Sequence, residues 1–378
     1  MDTTPSPRLA LAAVSFSTLL AALGTSIANV GLPALSAHFG APYSRIQWIV
    51  LAYLLASTAM AVVAGRLGDR VGRRRVLLGG ILLFSVASAA CAFAPSLPLL
   101  VTARALQGVG AAAMIVLGLP FVAKTGSAIG LLGAVSAAGT TLGPVLGGAL
   151  LAGFGWPALF LVLAPLGALA FACAWRALPA GDRQAVQHRA RLAPPYGPLL
   201  AIGSMTAVVM ATLVIGPFHL ARTLTLDAAA VGLVMACGPL AATLAGIPAG
   251  RAVDRYGAPL VARIGLACAA AGCMLLALLP ASVASYVVPL VVLTSGYALF
   301  QAANNSAVMA ARAAGQRGAV SGLLTLARNL GLLAGASGMG MLFAASGMRV
   351  AFAAALLLVV IAGITWRRTG RTAARHPA

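Results

Sequence analysis

The chain has 378 residues, of which 61% are hydrophobic and only 8% are charged, and its mean hydropathy is +1.01. Soluble domains carry roughly 25% charged residues, so this composition excludes a water-exposed globular surface and requires lipid as solvent. The net charge of +20 does not indicate nucleic-acid binding, because the basic residues lie in short segments between apolar runs, as in membrane proteins.

Twelve apolar segments are each long enough to cross a bilayer, since a spanning helix needs about 20 mostly apolar residues. Only helices satisfy the backbone where water is absent, so the predicted fold class is an all-α membrane protein. The first segment runs from beyond Arg8 to Pro33, which predicts an uncleaved first helix rather than a removed leader. The predicted spans are residues 10–33, 45–66, 75–95, 97–119, 126–152, 156–177, 197–220, 228–250, 260–280, 283–309, 317–344 and 348–366.

A short charged segment occurs twice. Residues 65–75 carry five arginines and one aspartate between two apolar runs and are predicted to form a turn. Residues 250–257 repeat its Gly, Arg, Asp, Arg and Gly, with every match displaced by 185 residues. Such a repeat predicts two fused copies of one unit. The predicted domains are residues 1–177 and 197–378, each a six-helix bundle, joined by a polar linker at 178–196.

The distribution of Lys and Arg predicts the orientation. With the amino terminus inside, the inward loops and tails carry twenty of them and the outward loops carry three, Arg45, Arg222 and Arg349. We therefore expect a protein of the inner (plasma) membrane with both termini in the cytoplasm. Six spans separate the two charged segments, so both face the cytoplasm, and the repeat is parallel.

Three further segments accompany the charged one, which reads G-x-x-x-D-R-x-G-R-R from Gly65. They are residues 104–111 (RALQGVGA), residues 139–148 (GTTLGPVLGG) and residues 23–33, ending in NVGLP. Together these motifs resemble the major facilitator superfamily, and within it the drug:proton antiporter branch. The resemblance covers almost the whole chain and implies a secondary transporter with alternating access, of the efflux type. One departure is Gly24, because that branch commonly carries an acid in the first helix.

The charged segments are candidates for a latch between the bundles, which the resemblance implies is made when the outside is open. Glycines allow helices to approach closely, and a carboxylate can pair with a helix N-terminus or an arginine. The simpler interpretation is a cytoplasmic turn with orientation charges. We prefer it for residues 73–75, which are expected to contact anionic lipid. The predicted latch residues are Gly65, Gly68, Asp69, Arg70, Asp254 and Arg255.

Glycines recur every four residues along the predicted fifth span. Gly139, Gly143 and Gly147 share one face, which allows tight packing against another helix. Pro144 removes a backbone donor and bends the helix. The resemblance associates this motif with exporters. Two interpretations stay open, a pivot that seals one conformation and ordinary helix packing.

Arg104 and Arg328 lie inside predicted spans, where an arginine costs roughly 2.5–3.5 kcal/mol and normally faces the protein interior with a partner. Gln107 shares a face with Arg104, and Gly24 lies at a similar depth in the first span. The chain has five acids, none of them mid-membrane by this assignment, so both arginines lack an obvious counter-ion. Either carbonyls and amides pair with them, or they contact a negatively charged ligand.

The predicted tenth span carries a polar face in an otherwise apolar helix. Amides in lipid need partners, so this face is expected to point at a cavity or another helix. With residues of other spans it would converge on a site near the midplane, between the two halves. The predicted substrate pathway comprises Asn29, Arg104, Gln107, Tyr297, Gln301, Asn304, Asn305 and Arg328.

The sequence offers no constellation for catalysis or metal binding, since its five cysteines form no C-x-x-C pair and its histidines do not cluster. We therefore expect no enzyme activity, no cofactor and no metal. The predicted function is that of a monomeric efflux permease for drugs or small organic metabolites, with proton coupling implied only by the family. The cargo is expected to be neutral, zwitterionic or anionic. A metabolite importer or uncoupled facilitator and a non-transporting sensor stay open as alternatives.

Overall fold

The computed structural model describes residues 7–122, 126–179, 194–311 and 317–373. Within these ranges the chain forms helices and short turns and contains no strand. The apolar runs become helices because a helix bonds its own backbone groups where lipid offers none. The helices are α1 (Pro7–His38), α2 (Tyr43–Ile46), α3 (Trp48–Val71), α4 (Arg73–Ala92), α5 (Leu97–Val122), α6 (Gly126–Phe154), α7 (Pro157–Leu161), α8 (Leu163–Ala177), α9 (Tyr196–Arg222), α10 (Ala228–Tyr256), α11 (Ala258–Leu278), α12 (Val283–Ala310), α13 (Arg317–Ala334) and α14 (Gly340–Ala373), with a π-helical turn (Gly335–Met339) between the last two.

Ten stretches within the described ranges are long and apolar enough to cross a membrane. A shorter apolar stretch, Ala138–Phe154, is part of α6. The stretch Gly322–Arg367 is interrupted at Gly347, where φ is 80°. The prediction of an all-α membrane protein is thereby confirmed, whereas the count of twelve spans stays a prediction. Residues 180–193 of the predicted linker lie outside the described ranges.

The charged segments are mostly helical. α3 continues through Asp69 to Val71, and α10 continues through Asp254 to Tyr256. The predicted turn is therefore wrong for residues 65–71, because an exposed helix end carries charged residues without leaving the helical conformation. The chain turns only afterwards, at Gly72 and Gly257, where φ is 109° and 80°. Glycine adopts such positive φ angles without the steric cost that a side chain brings.

The chain divides into two compact units. Unit 1 contains Met1–Gln187 and Asp227–Ala236, and unit 2 contains His188–Leu226 and Cys237–Ala378, so the start of α10 groups with unit 1. In unit 1, α1 packs against α6, and α5 packs against both α3 and α4. In unit 2, α11 packs against α12, and α9 packs against α13 and α14.

The same close contact between two helices occurs in each unit. A Cβ atom on Gly110 would lie 2.6 Å from the carbonyl oxygen of Gly80, so the backbones of α5 and α4 touch. A Cβ atom on Gly296 would lie 2.6 Å from the carbonyl oxygen of Gly265, which joins α12 to α11 in the same way. Gly80 and Gly265 are 185 positions apart (265 − 80), the displacement of the charged segments, so the packing follows the sequence repeat.

Candidate functional site

Arg104 lies on α5 in the interior of unit 1, and its side chain is 0% exposed. Its Nε donates to the carbonyl oxygen of Ile49 on α3 (2.9 Å), and its Nη1 donates to the carbonyl oxygen of Gly24 on α1 (3.0 Å). Nη1 also donates to the Oε1 of Gln107, one turn along α5. The planar guanidinium offers donors in several directions. It therefore ties α1, α3 and α5 together.

Gln107 extends this network to α4. The Gln107 side chain is fully buried, and its Nε2 donates to the Oγ of Ser88 at 2.7 Å. The Ser88 hydroxyl donates in turn to the carbonyl oxygen of Phe84 at 2.6 Å, within α4. A network of buried hydrogen bonds rigidifies the elements that it joins. Unit 1 therefore has a polar centre that four helices share.

Aromatic rings complete the surroundings of the guanidinium. The Cζ of Arg104 lies 4.3 Å from the centroid of the Tyr53 ring and 5.8 Å from that of Phe160, both within the range of cation–π attraction. The Tyr53 hydroxyl donates to the carbonyl oxygen of Ala21 at 2.9 Å, so Tyr53 also holds α1 against α3. The rings offset part of the cost of burying a charge without a carboxylate.

The space beside Gly24 is occupied by an aromatic ring. A Cβ atom on Gly24 would lie 3.0 Å from two ring carbons of Phe84 and 3.5 Å from the Tyr53 hydroxyl oxygen. The Phe84 side chain is 0% exposed. An aspartate at position 24 would therefore need the Phe84 ring to move, although the position itself lies next to Arg104.

Of the two interpretations offered for Arg104, pairing with carbonyl and amide groups describes the contacts that its Nε and Nη1 make. Its Nη2 is buried without a hydrogen-bond partner among the described residues. Arg104 and Gln107 are both fully buried, so neither contributes to an open surface of unit 1. Arg328, the other arginine of the predicted pathway, is exposed on α13 of unit 2.

The predicted polar face of α12 lies in unit 2. Tyr297, Gln301 and Asn305 are half-buried, and Asn304 is 0% exposed. Within the described ranges, neither the Oδ1 nor the Nδ2 of Asn304 has a hydrogen-bond partner, and the buried Oδ1 of Asn305 has none. An unsatisfied buried polar group costs about 1–3 kcal/mol. The unpaired amide groups of this face therefore destabilise the packing of α12.

Unit 1 also contains a buried amide of the predicted substrate pathway, Asn29 on α1. Its side chain is 1% exposed, and its Nδ2 donates to the carbonyl oxygen of Thr25 in the preceding turn at 3.5 Å. Its Oδ1 has no partner in the part of the chain that the structure describes. Asn29 and Asn304 thus each retain unused hydrogen-bonding capacity inside their own unit.

The predicted latch residues of unit 1 lie at the end of α3. Asp69 pairs with Arg73 across the turn at Gly72, with Oδ1 3.1 Å from Nη2. Gly65 and Gly68 face α5, where a Cβ atom on Gly68 would lie 2.5 Å from the Cδ2 of Leu117. Arg70 is exposed. The two glycines therefore allow α3 and α5 to approach each other next to the charged residues.

Two arginines at the helix ends contact aromatic rings. In unit 2, Asp254 and Arg255 are exposed, and the Arg255 guanidinium lies 5.3 Å from the Tyr256 ring. In unit 1, the Arg74 guanidinium lies 5.1 Å from the Trp175 ring and donates to the carbonyl oxygen of Trp175. The sequence predicts lipid contact for Arg74, whereas the structure shows a contact that joins α4 to α8.

The glycine stripe of α6 packs against α1. A Cβ atom on Gly143 would lie 1.9 Å from the Oγ of Ser26 and 2.9 Å from its Cβ. The Ser26 hydroxyl oxygen lies 3.4 Å from the carbonyl oxygen of Gly139, to which it donates. A Cβ atom on Gly147 would lie 3.1 Å from the carbonyl oxygen of Ile27. The glycine stripe is therefore a helix contact without room for side chains. Pro144, which follows Gly143, is also buried.

Sequence reasoning missed three residues of the buried network, Tyr53, Phe84 and Ser88. A tyrosine within an apolar span is a signal that could have found Tyr53, because a buried hydroxyl needs a partner. Ser88 and Phe84 give no such signal. A serine in a membrane helix commonly bonds to its own backbone, and a phenylalanine is an ordinary apolar residue there.

Apolar helices arranged around buried polar groups define the class as a polytopic membrane protein. The sequence profile of the Major Facilitator Superfamily matches residues 14–198 and 199–378. The chain belongs to the major facilitator superfamily, and the named relatives in this family are transporters rather than enzymes.

Curated relatives in this family align mainly with part of the chain. The chain is 36% identical over 177 residues to the riboflavin transporter RibZ of Clostridioides difficile, covering 45% of this chain and 39% of RibZ. It is 39% identical over 168 residues to the multidrug resistance protein Stp of Mycobacterium tuberculosis, covering 43% and 31%. The chain thus spans well under half the length of these two relatives. The alignment with the uncharacterized transporter YebQ of Escherichia coli is longer, with 28% identity over 382 residues, covering 82% and 84%.

Solved structures share the fold. A bacterial homolog of the human lysosomal transporter Spinster matches with a TM-score of 0.78 and 17% identity, covering 100% of both chains. The nucleoside transporter NupG matches with a TM-score of 0.76 and 13% identity, covering 97% of this chain and 99% of NupG. At these identities the likeness shows the fold alone.

Proposed function

We propose that this chain is an efflux permease that exports small organic molecules by alternating access. The observation that carries the proposal is the contact of the α6 glycine stripe with α1, where a Cβ atom on Gly143 would lie 1.9 Å from the Oγ of Ser26. This stripe is the motif that the resemblance associates with exporters. The name of the relative Stp, a multidrug resistance protein, supports the same direction of transport.

The proposed cargo is neutral, zwitterionic or anionic. The acids within the described ranges, Asp69, Asp227 and Asp254, lie at or beside helix ends. A dicationic cargo would therefore find no carboxylate along the described spans. RibZ, whose name gives riboflavin as its cargo, suggests an uncharged aromatic amphiphile as the first compound to test.

Facilitated transport without proton coupling is the second candidate, and the residue at position 24 favours it. A proton-coupled carrier needs a group in the pathway that gains and loses a proton. The first helix has Gly24 where the drug:proton antiporter branch, which the chain resembles, commonly has an acid. The Phe84 ring occupies the space next to Gly24. A guanidinium does not titrate in the physiological range, so Arg104 does not replace the missing acid.

The proposed setting is the plasma membrane of the cell, with both termini in the cytoplasm and the chain acting as a monomer. The excess of Lys and Arg on one side supports this orientation, and the same residues are expected to attract anionic lipid. The latch role of Asp69 and Asp254 is part of this proposal. It rests on their position in the repeated segment.

Flux into and out of proteoliposomes that contain the full chain tests both candidates. With riboflavin and a panel of drugs, an exporter coupled to protons moves cargo against its gradient only when a pH gradient is imposed. An uncoupled facilitator equilibrates the cargo at the same rate with and without that gradient. Flux no greater than in protein-free liposomes for every compound would support the non-transporting sensor instead. Tight binding of permanent dications would contradict the proposed cargo class.

A further inference from the structure

A cavity of about 300 Å³ lies wholly within unit 2, where α9 ends and α12 begins. This volume is at the lower end of the range for small-molecule sites. Leu276 and Phe343 contribute apolar walls, Arg349 contributes a cationic guanidinium, and His219 contributes an imidazole that can form hydrogen bonds. The residues of the predicted substrate pathway do not line it. The cavity therefore combines an apolar body with one cationic group and a hydrogen-bonding imidazole, which is the complement of an anionic amphiphile.

The position of Arg349 is set by the break in α14. At Gly347 the backbone has φ 80° and ψ −178°, and the helix resumes immediately afterwards. Arg349 consequently stands at the start of a helical run, where the helix dipole disfavours a cation and favours an anion. The Arg349 side chain is exposed and lines the cavity. A bound anion would relieve this unfavourable placement.

No acid in unit 2 is positioned to neutralise Arg349. Asp254 is the single carboxylate side chain of unit 2, and it precedes α11, whereas the cavity lies beyond the other end of that helix. The 21 residues of α11 span about 30 Å. The nearest acid in sequence to α9, Asp227, belongs to unit 1 and accepts a hydrogen bond from the backbone N–H of Ala230 at 2.7 Å. Asp227 does not line the cavity.

His219 supplies the observation that points to a ligand. Its side chain is 9% exposed and lines the cavity. The imidazole lies against the Tyr286 ring, with centroids 6.0 Å apart, but the Tyr286 hydroxyl donates to the carbonyl oxygen of Thr212 at 3.1 Å. No residue in the described part of the chain makes a hydrogen bond with the His219 ring nitrogens. A largely buried imidazole is normally hydrogen-bonded, so the hydrogen-bonding capacity of His219 is left for a ligand in the cavity that it lines.

The N-terminus of α12 adds to the same wall. Ser282 caps this helix of 28 residues, and its Oγ accepts from the backbone N–H of Ser285 at 3.1 Å. Both serines line the cavity. The start of a long helix carries a partial positive charge. The cavity therefore receives positive potential from α12 as well as from Arg349.

We infer that this cavity binds the carboxylate or phosphate group of a small amphiphile. Arg349 forms the ion pair, and His219 and the start of α12 donate hydrogen bonds. The walls formed by Leu276 and Phe343 hold the apolar part. The anion comes either from a dissolved organic acid or from the headgroup of an anionic lipid. The inference goes beyond the proposed export function and does not depend on the direction of transport.

Calorimetric titration with octanoate tests the inference on the full chain in phosphatidylcholine nanodiscs, with empty nanodiscs as the background. Octanoate is expected to bind, whereas octanol and octylamine, which have the same tail, are expected to bind at least about tenfold more weakly. Arg349→Gln is expected to weaken octanoate binding about tenfold or more, and Arg349→Lys is expected to recover part of the loss. Arg222→Gln is the matched control, since Arg222 lies at the same end of α9, over the Phe218 ring, and does not line the cavity.

Equal affinity for octanoate and octanol would overturn the inference, as would unchanged octanoate binding by Arg349→Gln. His219→Gln, which keeps a hydrogen-bond donor, should bind octanoate more tightly than His219→Leu. Equal affinity of these two variants would remove His219 from the site and contradict the inference. Soluble short-chain phosphatidylglycerol separates the two sources. Competition with octanoate identifies a lipid headgroup, and absence of competition identifies a dissolved acid.

Discussion

At the scale of single residues, Arg104 shows how a membrane protein can bury a cation without a carboxylate. Moving an ammonium-sized or guanidinium-sized charge out of water costs several kcal/mol even after relaxation. Here two backbone carbonyls, the amide of Gln107 and the Tyr53 ring share that charge. Two of the acceptors are backbone carbonyl oxygens, so they are present whichever side chains α1 and α3 carry at those positions. The contacts therefore favour a clamp between helices as the role of Arg104.

Arg104→Lys is expected to destabilise unit 1. An ammonium group is a single point on a flexible stem and cannot reach the carbonyls of Gly24 and Ile49 and the Gln107 amide together. Losing charged hydrogen bonds costs about 1.5–3 kcal/mol, which should lower the Tm in detergent by several degrees. Arg222→Lys, at an exposed site, should leave Tm unchanged. Wild-type Tm combined with lost cargo binding in Arg104→Lys would instead identify Arg104 as a cargo contact.

Gly24→Asp is expected to reduce the yield of folded protein, because its Cβ would lie 3.0 Å from the Phe84 ring. Overpacking of this kind typically costs about 1–3 kcal/mol. In the double variant Gly24→Asp/Phe84→Leu, the carboxylate gains room beside Arg104, and the yield should exceed that of the single variant by size-exclusion chromatography.

The same double variant is expected to make flux depend on an imposed pH gradient, because it adds a titrating group to the first helix. Phe84→Leu alone serves as the control for the smaller side chain. A Gly24→Asp single variant that folds as well as the wild type would contradict the packing argument.

Part of this site could be predicted from residue types alone. The spacing of Gln107 from Arg104 predicted that the two share a face, and the depths of Gly24 and Arg104 in their spans predicted that they lie near each other. The acceptors on α1 and α3 could not be predicted, because a backbone carbonyl leaves no trace in the sequence. The ring of Phe84 beside Gly24 depends on the relative rotation of α1 and α4, which hydropathy does not fix.

At the scale of secondary-structure elements, hydropathy located the helices well and their ends poorly. The predicted span 126–152 corresponds to α6 (Gly126–Phe154), whereas the span 45–66 falls short of α3, which ends at Val71. Hydropathy indicates which residues can lie in the lipid. It does not indicate how far the helix continues beyond the lipid. The short helices α2 and α7 were not predicted as separate helices, because each lies directly beside a longer apolar helix and hydropathy does not show the break between them.

Gly143→Ala is expected to abolish or sharply reduce flux, because the new Cβ would lie 1.9 Å from the Oγ and 2.9 Å from the Cβ of Ser26, forcing α6 away from α1. Gly153→Ala on the same helix is the control, since nothing lies within 4 Å of its new Cβ. Ser26→Gly combined with Gly143→Ala should restore part of the flux, because it removes the colliding atoms.

Flux in proteoliposomes at matched protein content measures this effect. Unchanged flux in Gly143→Ala would show that α1 and α6 tolerate separation. The stripe would then be ordinary packing rather than a pivot.

At the scale of the whole molecule, the two units repeat their packing but not their polar centre. Gly110 and Gly296, which make equivalent backbone contacts, are 186 positions apart (296 − 110). The same displacement takes Arg104 to Leu290 and Gln107 to Leu293, both buried. The helix contacts of the two units therefore follow the sequence repeat, whereas among the described residues a buried arginine is found in unit 1 alone.

The orientation of the repeat gives a prediction for the whole chain. In a background with its five cysteines replaced by alanine, Arg70→Cys and Arg255→Cys should both be labelled by a membrane-impermeant maleimide in inverted vesicles but not in intact cells. Arg349→Cys should show the opposite pattern and serves as the control. Labelling of positions 70 and 255 from opposite sides would refute the parallel arrangement of the two halves.

The π-helical turn at Gly335–Met339 has a consequence for any mutational scan of the last two long helices. A π-turn inserts one extra residue into the helical ladder, so it rotates everything that follows by about 100° relative to an unbroken α-helix. Positions before Gly335 and after Met339 that match on a helical wheel consequently point in different directions. If each residue of this region is substituted in turn, the mutations that impair the protein should recur about every 3.6 residues on either side of the turn, but the two series should be out of register. The size of that offset would locate the π-helical turn in the protein in solution.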